Sequence, residues 1–467
     1  MFAELLSFGL LPLLAAFLVS LTVGWLLVVS SRWHLRHTDD HQGHLPQKIH
    51  LGAVPRIGGA AIVLGVMAGG YAAVSGVDSP LFGPRALGLL LGVLPVFLIG
   101  LAEDVFKRVR PRYRLLGMAF GALIALQYAD IVLLHTKVPV IDALFAFYGV
   151  AIALTVFGIV GITNAFNIID GLNGLLGGIT LITLTGIAVV AWHLGDMKVE
   201  LMAGIIAAAT LGFLPFNWPR ARLFAGDGGA YFLGFMVAGL LLLLVARNSA
   251  VSPWFGLTAA ALPLCETLHS IWRRRRRRVA TTEPDFGHLH QLVRERMLRA
   301  RMLLALREYR VTRSLPGVDR RARARAPGFR SPNGSISPWL WGLHATAVVL
   351  GAALYQNTAA QMLVFAAFFL AYRLIYMRLE RFSRQRSLIQ YDQQTGAVWG
   401  LRKGPYKPAP AARAPQAAAA ATPAAVPRSS APQAARAPGQ LSSASAPTPA
   451  APSAERSGPG SNKSTRR

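Results

Sequence analysis

Residues 5–30 read LLSFGLLPLLAAFLVSLTVGWLLVVS, a run without a charged side chain. The stretches 86–102, 140–161 and 231–246 are also strongly apolar. Each of these runs approaches or exceeds the ~20 residues that a helix needs to cross a bilayer. A chain inside hydrocarbon must satisfy its own backbone polar groups, so the runs are predicted to be helices. The first run is too long for a signal peptide and lacks a small-residue cleavage site, so we expect it to be retained.

The composition of the whole chain agrees with a membrane protein. Its 467 residues are 53% hydrophobic, and the mean hydropathy is +0.42. The predicted fold class is an all-α, polytopic membrane helix bundle with about eleven transmembrane helices. The predicted spans are 4–30, 56–76, 86–102, 115–134, 141–161, 174–193, 201–214, 230–246, 253–271, 338–356 and 360–377.

The positive charges are unevenly distributed between the predicted loops. A net charge of +27 would suit nucleic acid binding. However, of the 48 Lys and Arg residues only Arg85, Lys137, Lys198 and Arg247 fall in loops on one side. By the positive-inside rule this predicts the N-terminus outside, the C-terminus inside and no nucleic acid partner. The basic inner face would suit anionic lipid headgroups.

Two domains are predicted. Residues 1–380 form the membrane domain, and residues 381–467 are rich in Ala, Pro and Arg and are expected to be a disordered tail inside the cell. The largest inner loop, 272–337, contains the arginine run 273–278 and a stretch, 297–310, that could form a basic surface helix. The single cysteine, Cys265, excludes an internal disulfide and is interpreted as a small buried hydrophobe.

Five polar loops are predicted to lie on the inner side, at 31–56, 103–114, 162–173, 215–229 and 272–337. The loops on the other side are short and have few reactive side chains. Convergence of five polar loops on one face predicts a site for a water-soluble substrate at the membrane surface.

The first two of these loops contain candidate phosphate and acid–base groups. Lys48 and His50 could bind phosphate, although a plain juxtamembrane basic loop would look similar. Glu103 and Asp104 are adjacent carboxylates at a helix end, and ionisable groups in or near lipid are functional candidates. Lys107 follows one turn later and could bind substrate or simply pair with Glu103.

The third loop repeats polar residues every three positions. Asn164, Asn167 and Asp170 would lie on one face of a helix. Amide and carboxylate oxygens are hard ligands that suit Mg²⁺. The segment Asp170-Gly-Leu-Asn173-Gly is expected to break the helix and expose backbone N–H groups, although a capped turn is the simpler alternative.

The fourth and fifth loops add an aspartate and two histidines. Asn217 is followed by Gly226-Asp227-Gly-Gly, placed so that glycine amides at a helix start could bind phosphate and Asp227 could hold Mg²⁺. The alternative is an Asp cap with a glycine turn. In the fifth loop, His288 and His290 are predicted to contact phosphate and not zinc, because zinc would need more His or Cys ligands. Two solvated histidines are the alternative.

Taken in order, these motifs resemble those of the polyprenyl-phosphate N-acetylhexosamine-1-phosphate transferases. The family includes the phospho-MurNAc-pentapeptide translocase and the enzymes that start O-antigen synthesis. The motifs are Lys-x-His with Pro-Arg-x-Gly-Gly, the acidic pair with a following Lys, Asn-Ala-Phe-Asn-x-x-Asp-Gly-x-Asn-Gly-Leu, Gly-Asp-x-Gly and His-x-His. The resemblance covers about residues 30–300.

The resemblance implies an enzyme of the bacterial inner membrane with its site facing the cytosol. A sugar-1-phosphate, by default GlcNAc-1-phosphate, would pass from a UDP-N-acetylhexosamine to polyprenyl phosphate with release of UMP. The implied cofactor is Mg²⁺, with Mn²⁺ as an alternative, and the oligomeric state, including a homodimer, stays open. The implied roles are metal binding by Asp227 and Asn167, catalysis by Asp104, Glu103, Asp170, His288 and His290, and substrate binding by Lys48, His50, Lys107, Asn164, Asn173 and Asn217.

The chain departs from the family pattern at three positions. The acidic pair is Glu103-Asp104 where Asp-Asp is usual, and Asn173 stands where many members have Asp. In the span before the fifth loop, Glu266 replaces a family Asp.

The alternative functions are a pentapeptide-MurNAc transferase and, from a different class, a membrane transporter. A transporter would place polar residues in mid-membrane and on both faces.

Overall fold

The computed structural model describes residues 2–38, 54–75, 84–277, 287–300 and 333–384, together with 390–391 and 398–399. Within these residues the regular secondary structure consists of helices and one pair of two-residue strands. The helices are α1 (Phe2–Val29), α2 (Ser31–Thr38), α3 (Gly59–Ser75), α4 (Pro84–Phe106), α5 (Pro111–Ala129), α6 (Pro139–Phe145), α7 (Tyr148–Ile169), α8 (Leu175–His193), α9 (Met197–Asn217), α10 (Gly226–Arg247), α11 (Phe255–Ala259), α12 (Ala261–Arg277), α13 (Asn333–Ala353) and α14 (Thr358–Arg384). A further helical segment covers 289–300.

Eight helices in the described part of the chain are long and apolar enough to cross a membrane. They are α1, α4, α7, α8, α9, α10, α13 and α14, and α3 is a shorter apolar helix. The chain is therefore a multi-pass membrane protein built as a helix bundle. Every predicted span contains a helix, but the span 141–161 is divided between α6 and α7, and 253–271 is interrupted at Ala260. The count of eleven spans stays a prediction.

Helix α10 forms the centre of the bundle. Almost every side chain from Gly226 to Leu244 is buried, and α10 packs against α3, α4, α7, α8 and α9. A helix that is apolar on all sides is expected in such a central position.

The thiol of Cys265, in α12, is buried, as predicted for a small buried hydrophobe.

Glycines allow α3 and α4 to approach the first turn of α10 closely. A Cβ atom added to Gly100 of α4 would lie 2.6 Å from Gly228 Cα, and one added to Gly59 of α3 would lie 2.5 Å from Gly229 Cα. Small residues at such crossings let helix backbones meet. The first turn of α10 is consequently held between the end of α4 and the start of α3.

Three of the basic residues predicted to lie on the sparsely charged side are found at the end of the bundle where α10 finishes. Arg247 Nε lies 2.7 Å from Asp196 Oδ2, and Arg85 pairs with Asp130 at 2.7 Å. Lys137 Nζ donates to the carbonyl oxygen of Ser249 at 2.6 Å. These contacts lie at the end of the bundle away from Asp227, as the charge distribution predicts. Which end faces the cytosol stays a prediction.

The last helix extends beyond the predicted domain boundary at residue 380. Helix α14 continues to Arg384, because residues 378–384 contain neither Gly nor Pro and include several good helix formers. In the predicted tail, strand β1 (Gln390–Tyr391) pairs antiparallel with β2 (Val398–Trp399). The remainder of the predicted tail lies outside the described residues.

Candidate active site

The end of α4 is joined to the start of α10 by Asp104. Its Oδ1 accepts a hydrogen bond from the N–H of Asp227, and its Oδ2 accepts one from the N–H of Gly228, both at 2.9 Å. Asp104 is buried. Gly226 adopts φ +73° beside it, and a Cβ atom there would overlap the Asp104 carboxylate. The prediction that these amides bind phosphate is therefore wrong for this arrangement, because the Asp104 carboxylate occupies the anion position.

The side chain of Asp227 is held by two arginines. Arg56 Nη2 lies 3.0 Å from Asp227 Oδ1, and Arg114 Nη1 lies 2.9 Å from Asp227 Oδ2. Arg56 Nε also lies 3.7 Å from Asp104 Oδ1. Two carboxylates and two guanidinium groups thus form one contiguous cluster of Asp104, Asp227, Arg56 and Arg114, called here the aspartate–arginine cluster.

The end of α7 contributes the second part of the site. The helix continues to Ile169, so Asn164 and Asn167 lie in its last two turns and Asp170 forms its C-cap. Burial raises the pKa of Asp170 to about 7; the Arg56 charge lowers it and the Asp227 charge raises it. Asp170 therefore lies within electrostatic reach of the aspartate–arginine cluster. Among the described residues the Asn167 Nδ2 atom is buried without a hydrogen-bond partner.

Two asparagines hold the loop that follows α7. Asn217 Oδ1 accepts from the Gly174 N–H at 2.7 Å, and Asn217 Nδ2 donates to the Leu223 carbonyl oxygen at 2.9 Å. Asn173 Nδ2 donates to the Pro219 carbonyl oxygen at 3.0 Å. In the part of the chain that the structure describes, Asn173 Oδ1 has no donor although it is buried. Asn217 therefore fixes the loop, and its predicted substrate contact stays a prediction, as does that of Asn173.

Glu266 organises the histidine pair. Its Oε2 lies 3.3 Å from His288 Nδ1, and its Oε1 lies 3.2 Å from His290 Nδ1. The backbone N–H groups of Leu289 and His290 also donate to this carboxylate, at 3.2 and 3.3 Å, and the Tyr372 hydroxyl donates at 2.9 Å. Five hydrogen bonds to one carboxylate fix both imidazoles, since a carboxylate acts only as an acceptor.

The two imidazole rings lie beside the loop after α7. Their planes differ by 6° with centroids 5.4 Å apart, and a Cβ atom added to Gly171 would lie 2.6 Å from His290 Nε2. Both histidines are buried. The alternative of two solvated histidines is therefore wrong, and His290 lies next to the residue that follows Asp170.

The acidic residue Glu103 takes part in ending its own helix. Glu103 Oε2 accepts a hydrogen bond from the Val109 N–H at 2.8 Å, and the Lys107 N–H donates to the Glu103 carbonyl oxygen at 2.8 Å. Lys107 itself adopts φ +54°, a conformation that costs a residue with a Cβ about 1–3 kcal/mol. The predicted catalytic role of Glu103 and substrate contact of Lys107 stay predictions. Lys48 and His50 lie outside the described residues.

Comparison with known proteins identifies the region that carries this geometry. Residues 86–245 match the profile described as glycosyl transferase family 4. Over these residues the chain is similar to glycosyl transferase family 4. The matched region includes the end of α4, the end of α7 and the start of α10, which together provide Asp104, Asp170 and Asp227.

Three curated proteins illustrate what this chain resembles. It is 31% identical over 248 residues to a probable undecaprenyl-phosphate N-acetylglucosaminyl 1-phosphate transferase of Bacillus subtilis, covering 52% of this chain and 66% of that protein. It is 27% identical over 253 residues to an undecaprenyl-phosphate alpha-N-acetylglucosaminyl 1-phosphate transferase of Haemophilus influenzae, covering 53% and 69%. The Escherichia coli K12 protein with the latter name is 26% identical over 121 residues, covering 25% and 33%. The first alignment thus spans slightly less than two thirds of its relative.

Four residues of the candidate site were not among the predicted site residues: Arg56, Arg114, Glu266 and Tyr372. Arg56 belongs to the quoted Pro-Arg-x-Gly-Gly motif, and Glu266 was noted as a departure from the family pattern. The sequence signal was a charge at the start of a predicted span for Arg56 and a charge within a predicted span for Glu266. Arg114 was hidden among neighbouring basic residues, and Tyr372 lies in a distant helix whose contacts no local pattern reveals.

The carboxylates of the candidate site suit a metal that is bound together with substrate. Among the described residues there is no group of three or more His, Cys, Asp or Glu side chains that could hold a metal ion. Magnesium, however, is commonly held by one or two carboxylates with water and substrate phosphates as the other ligands. Asp227 and the half-buried Asp170, which interact electrostatically, could supply such carboxylates. The donor set therefore fits Mg²⁺.

Proposed function

We propose that the chain transfers a sugar-1-phosphate from a UDP-sugar to polyprenyl phosphate and releases UMP. The default donor is UDP-GlcNAc, and the reaction would start a cell-surface polysaccharide. The proposed location is the bacterial inner membrane with the site on the cytosolic side. The names of the relatives support this reaction class, and the geometry of the aspartate–arginine cluster provides the chemistry.

One observation carries this proposal. Asp227 is fixed at the start of the central helix between two guanidinium groups, at one end of a bundle of membrane helices. A water-soluble diphosphate and a membrane-bound phosphate can meet only at such an end. Guanidinium groups bind phosphate oxygens with strong, often bidentate hydrogen bonds, so Arg56 and Arg114 are suited to hold the diphosphate.

The reaction forms one P–O bond and breaks another. An oxygen of the lipid phosphate attacks the β-phosphorus of the UDP-sugar, and the bond from that phosphorus to the oxygen bridging to the α-phosphate breaks, so UMP leaves with both electrons of that bond. Catalysis of phosphoryl transfer depends mainly on positioning and charge stabilisation. A Mg²⁺ ion held by Asp227, with Asn167 or Asp170 beside it, would supply further charge neutralisation of the diphosphate.

Asp104 is assigned to positioning and not to proton removal. A phosphate monoester has a second pKa near ~6 and is mostly ionised at pH 7, so the nucleophile does not require a base. Both carboxylate oxygens of Asp104 already accept backbone hydrogen bonds. Its function would be to hold the first turn of α10 so that Asp227 faces Arg56 and Arg114.

The histidine pair is proposed to contact the phosphates or the sugar. Glu266 fixes Nδ1 of both rings, and His290 Nε2 faces the loop at Gly171. Because a carboxylate partner favours the proton on Nδ1, the Nε2 atom of His290 is left as the acceptor on the side of Gly171. A rigid pair of rings would fix the orientation of the sugar-phosphate relative to the aspartate–arginine cluster.

The test is a transfer assay with a panel of donors. Membranes containing the protein are incubated with Mg²⁺, polyprenyl phosphate and radiolabelled UDP-sugars, and the label extracted into organic solvent is counted. The proposal expects extraction of the UDP-GlcNAc label that requires both the lipid and Mg²⁺. Extraction of the pentapeptide-MurNAc label alone would favour that alternative substrate. Failure to extract any label with correctly folded protein contradicts the proposed reaction.

A further inference from the structure

A second basic site lies between α12 and α14, apart from the aspartate–arginine cluster. A cavity of about 470 Å³ is lined there by His269, Trp272, Arg273, Arg276, Arg373 and Tyr376 and, beyond them on α14, by Met377, Glu380 and Arg381. Among the described residues that line it there are four guanidinium groups and one carboxylate, that of Glu380. Its volume falls within the ~300–1,000 Å³ of typical ligand pockets, and its charge selects an anion.

The tryptophan in this cavity fixes the two outer arginines. The Arg373 Cζ atom lies 3.9 Å from the centroid of the Trp272 ring, and the Arg276 Cζ atom lies 5.3 Å from it. Stacking on an indole leaves the edges of a guanidinium group able to donate hydrogen bonds. The two groups are therefore held in place with donors still available to an anion.

His269 adds a buried donor that lacks an acceptor. Arg373 Nη1 lies 3.2 Å from His269 Nε2. Because a guanidinium group can only donate, Nε2 must accept, and the proton of the neutral ring is on Nδ1. His269 is buried, and within the described residues its Nδ1 has no hydrogen-bond partner. A buried N–H without an acceptor is costly, so a ligand that brings acceptor oxygens would be stabilised here.

The surroundings of the cavity favour a lipid over a soluble anion. Trp272 is 41% exposed, and Leu268 and Ile271 of α12 are exposed too, as are Leu374 and Ile375 of α14. Tryptophan is enriched where membrane hydrocarbon meets water. Basic pockets between membrane helices are suited to anionic headgroups. The apolar side chains beside the cavity would contact the acyl chains of the same molecule.

The residues that line the cavity are distinct from those of the site described above. Arg273 follows Glu266 by seven residues on α12, a rise of about 10 Å along the helix. Its guanidinium group donates to the Gly287 carbonyl oxygen and, at 2.8 Å, to the Tyr376 hydroxyl. Arg273 thus lies between the cavity and Gly287, the residue before His288.

We propose that this cavity binds the phosphate headgroup of an anionic membrane phospholipid. Arg276, Arg373 and the His269 Nδ1–H would donate to the phosphate oxygens, while the acyl chains would lie against the exposed leucine and isoleucine side chains. This site is additional to the reaction proposed above and does not depend on it.

The test measures lipid retention and not activity. The purified full-length protein is equilibrated in detergent with equal amounts of phosphatidylglycerol and phosphatidylcholine, and bound lipid is counted by native mass spectrometry. Wild-type protein should retain phosphatidylglycerol at least tenfold over phosphatidylcholine, and the double variant Arg276→Ala/Arg373→Ala should lose this preference. Arg32→Ala is the matched control, because Arg32 also stacks on a tryptophan, Trp33, at 4.9 Å. It should behave as wild type.

Further arms distinguish the sources of phosphate. Inorganic phosphate at millimolar concentration should not displace phosphatidylglycerol, and an equal amount of polyprenyl phosphate should not displace it either. Displacement by inorganic phosphate would overturn the lipid assignment in favour of a soluble anion, and displacement by polyprenyl phosphate would make the cavity part of the acceptor site. Equal retention of the two phospholipids by wild type, or an unchanged preference in the double variant, would overturn the proposal. If the alanine variant does not fold, Arg276→Gln/Arg373→Gln is measured against the same criteria.

Discussion

The carboxylate of Asp104 caps the first turn of α10 by accepting hydrogen bonds from the N–H groups of Asp227 and Gly228, each at 2.9 Å. A negative charge is favourable at a helix N-terminus. The contact joins residues far apart in the chain and fixes the position of Asp227. The side chain of Asp227 is thereby left to pair with Arg56 and Arg114.

Replacing Asp104 should therefore affect stability and transfer together. Asp104→Ala leaves two buried N–H groups without acceptors, at a cost of about 1–3 kcal/mol each, and we expect a lower Tm and at least a tenfold lower transfer rate. Asp104→Asn can still accept one of the two bonds and should have a smaller effect. Asp130→Asn, at the exposed Asp130, is the control, because asparagine tolerates the left-handed conformation of that residue. A wild-type Tm and rate in Asp104→Ala would refute the capping role.

The close approach of α4 to α10 predicts that a side chain at Gly100 will lower both stability and transfer. A methyl group added in Gly100→Ala would lie 2.6 Å from Gly228 Cα, so the helices must separate and the Asp104 contact must lengthen. We expect a destabilisation of about 1–3 kcal/mol, as for other overpacked sites, with loss of transfer. Gly158→Ala on α7 is the matched control, because a Cβ atom there has no neighbour within 4 Å. Thermal unfolding of both variants in detergent is the measurement, and equal Tm values would contradict the packing argument.

Glu266 is predicted to act through the histidines that it holds. In Glu266→Gln the amide oxygen can accept hydrogen bonds while the NH₂ group faces other donors, so at least one imidazole loses its partner. We expect the transfer rate to fall at least tenfold with a smaller change in Tm. Tyr372→Phe removes only one hydrogen bond to Glu266 and should reduce the rate less. Equal rates in Glu266→Gln and wild type would show that the histidine positions do not matter.

The opposite end of the bundle should control stability at acidic pH. Burial alone would raise the pKa of Asp196, but hydrogen bonds from Arg247, Asn248 and the Val199 N–H together lower it. The folded state then binds the proton less readily than the unfolded state, whose pKa is near ~3.9. The resulting stability is present above pH ~4 and is lost as pH falls through the lowered folded pKa.

Arg247→Ala tests this pair directly. Removing the charged partner of buried Asp196 should cost about 1–3 kcal/mol at pH 7 and flatten the fall of Tm between pH 5 and pH 3. Arg85→Ala is the control, since the Asp130 side chain in the Arg85–Asp130 pair is 77% exposed and such pairs contribute about 0–1 kcal/mol. The measurement is the Tm of both variants across this pH range. If the two variants followed the same curve, the role assigned to the Arg247–Asp196 pair would be contradicted.

The helix bundle could be predicted from the sequence because uninterrupted apolar runs report directly on membrane spans. The helix break after Ile169 was predicted for the same kind of local reason, namely Gly171 and Gly174 in a polar segment. The breaks at Ala146 and Ala260 were not, because no glycine or proline lies at either point.

The site could be predicted only in part, because its partners are distant in the chain. The local motif around Asp227 indicated phosphate-binding amides, whereas the structure brings Asp104 onto those amides. Likewise the His-x-His spacing identified two histidines but not Glu266 and Tyr372, which fix them. Pairings of this kind depend on helix packing, which single segments do not encode.

The central claim is that Asp227 at the start of α10 serves sugar-phosphate transfer. The most direct measurement compares the extraction of label from UDP-GlcNAc into lipid by wild type, Asp227→Asn and the control Asp130→Asn, at matched protein levels and equal Tm. We predict at least a hundredfold loss for Asp227→Asn and a wild-type rate for Asp130→Asn. A rate for Asp227→Asn within twofold of wild type would contradict the account.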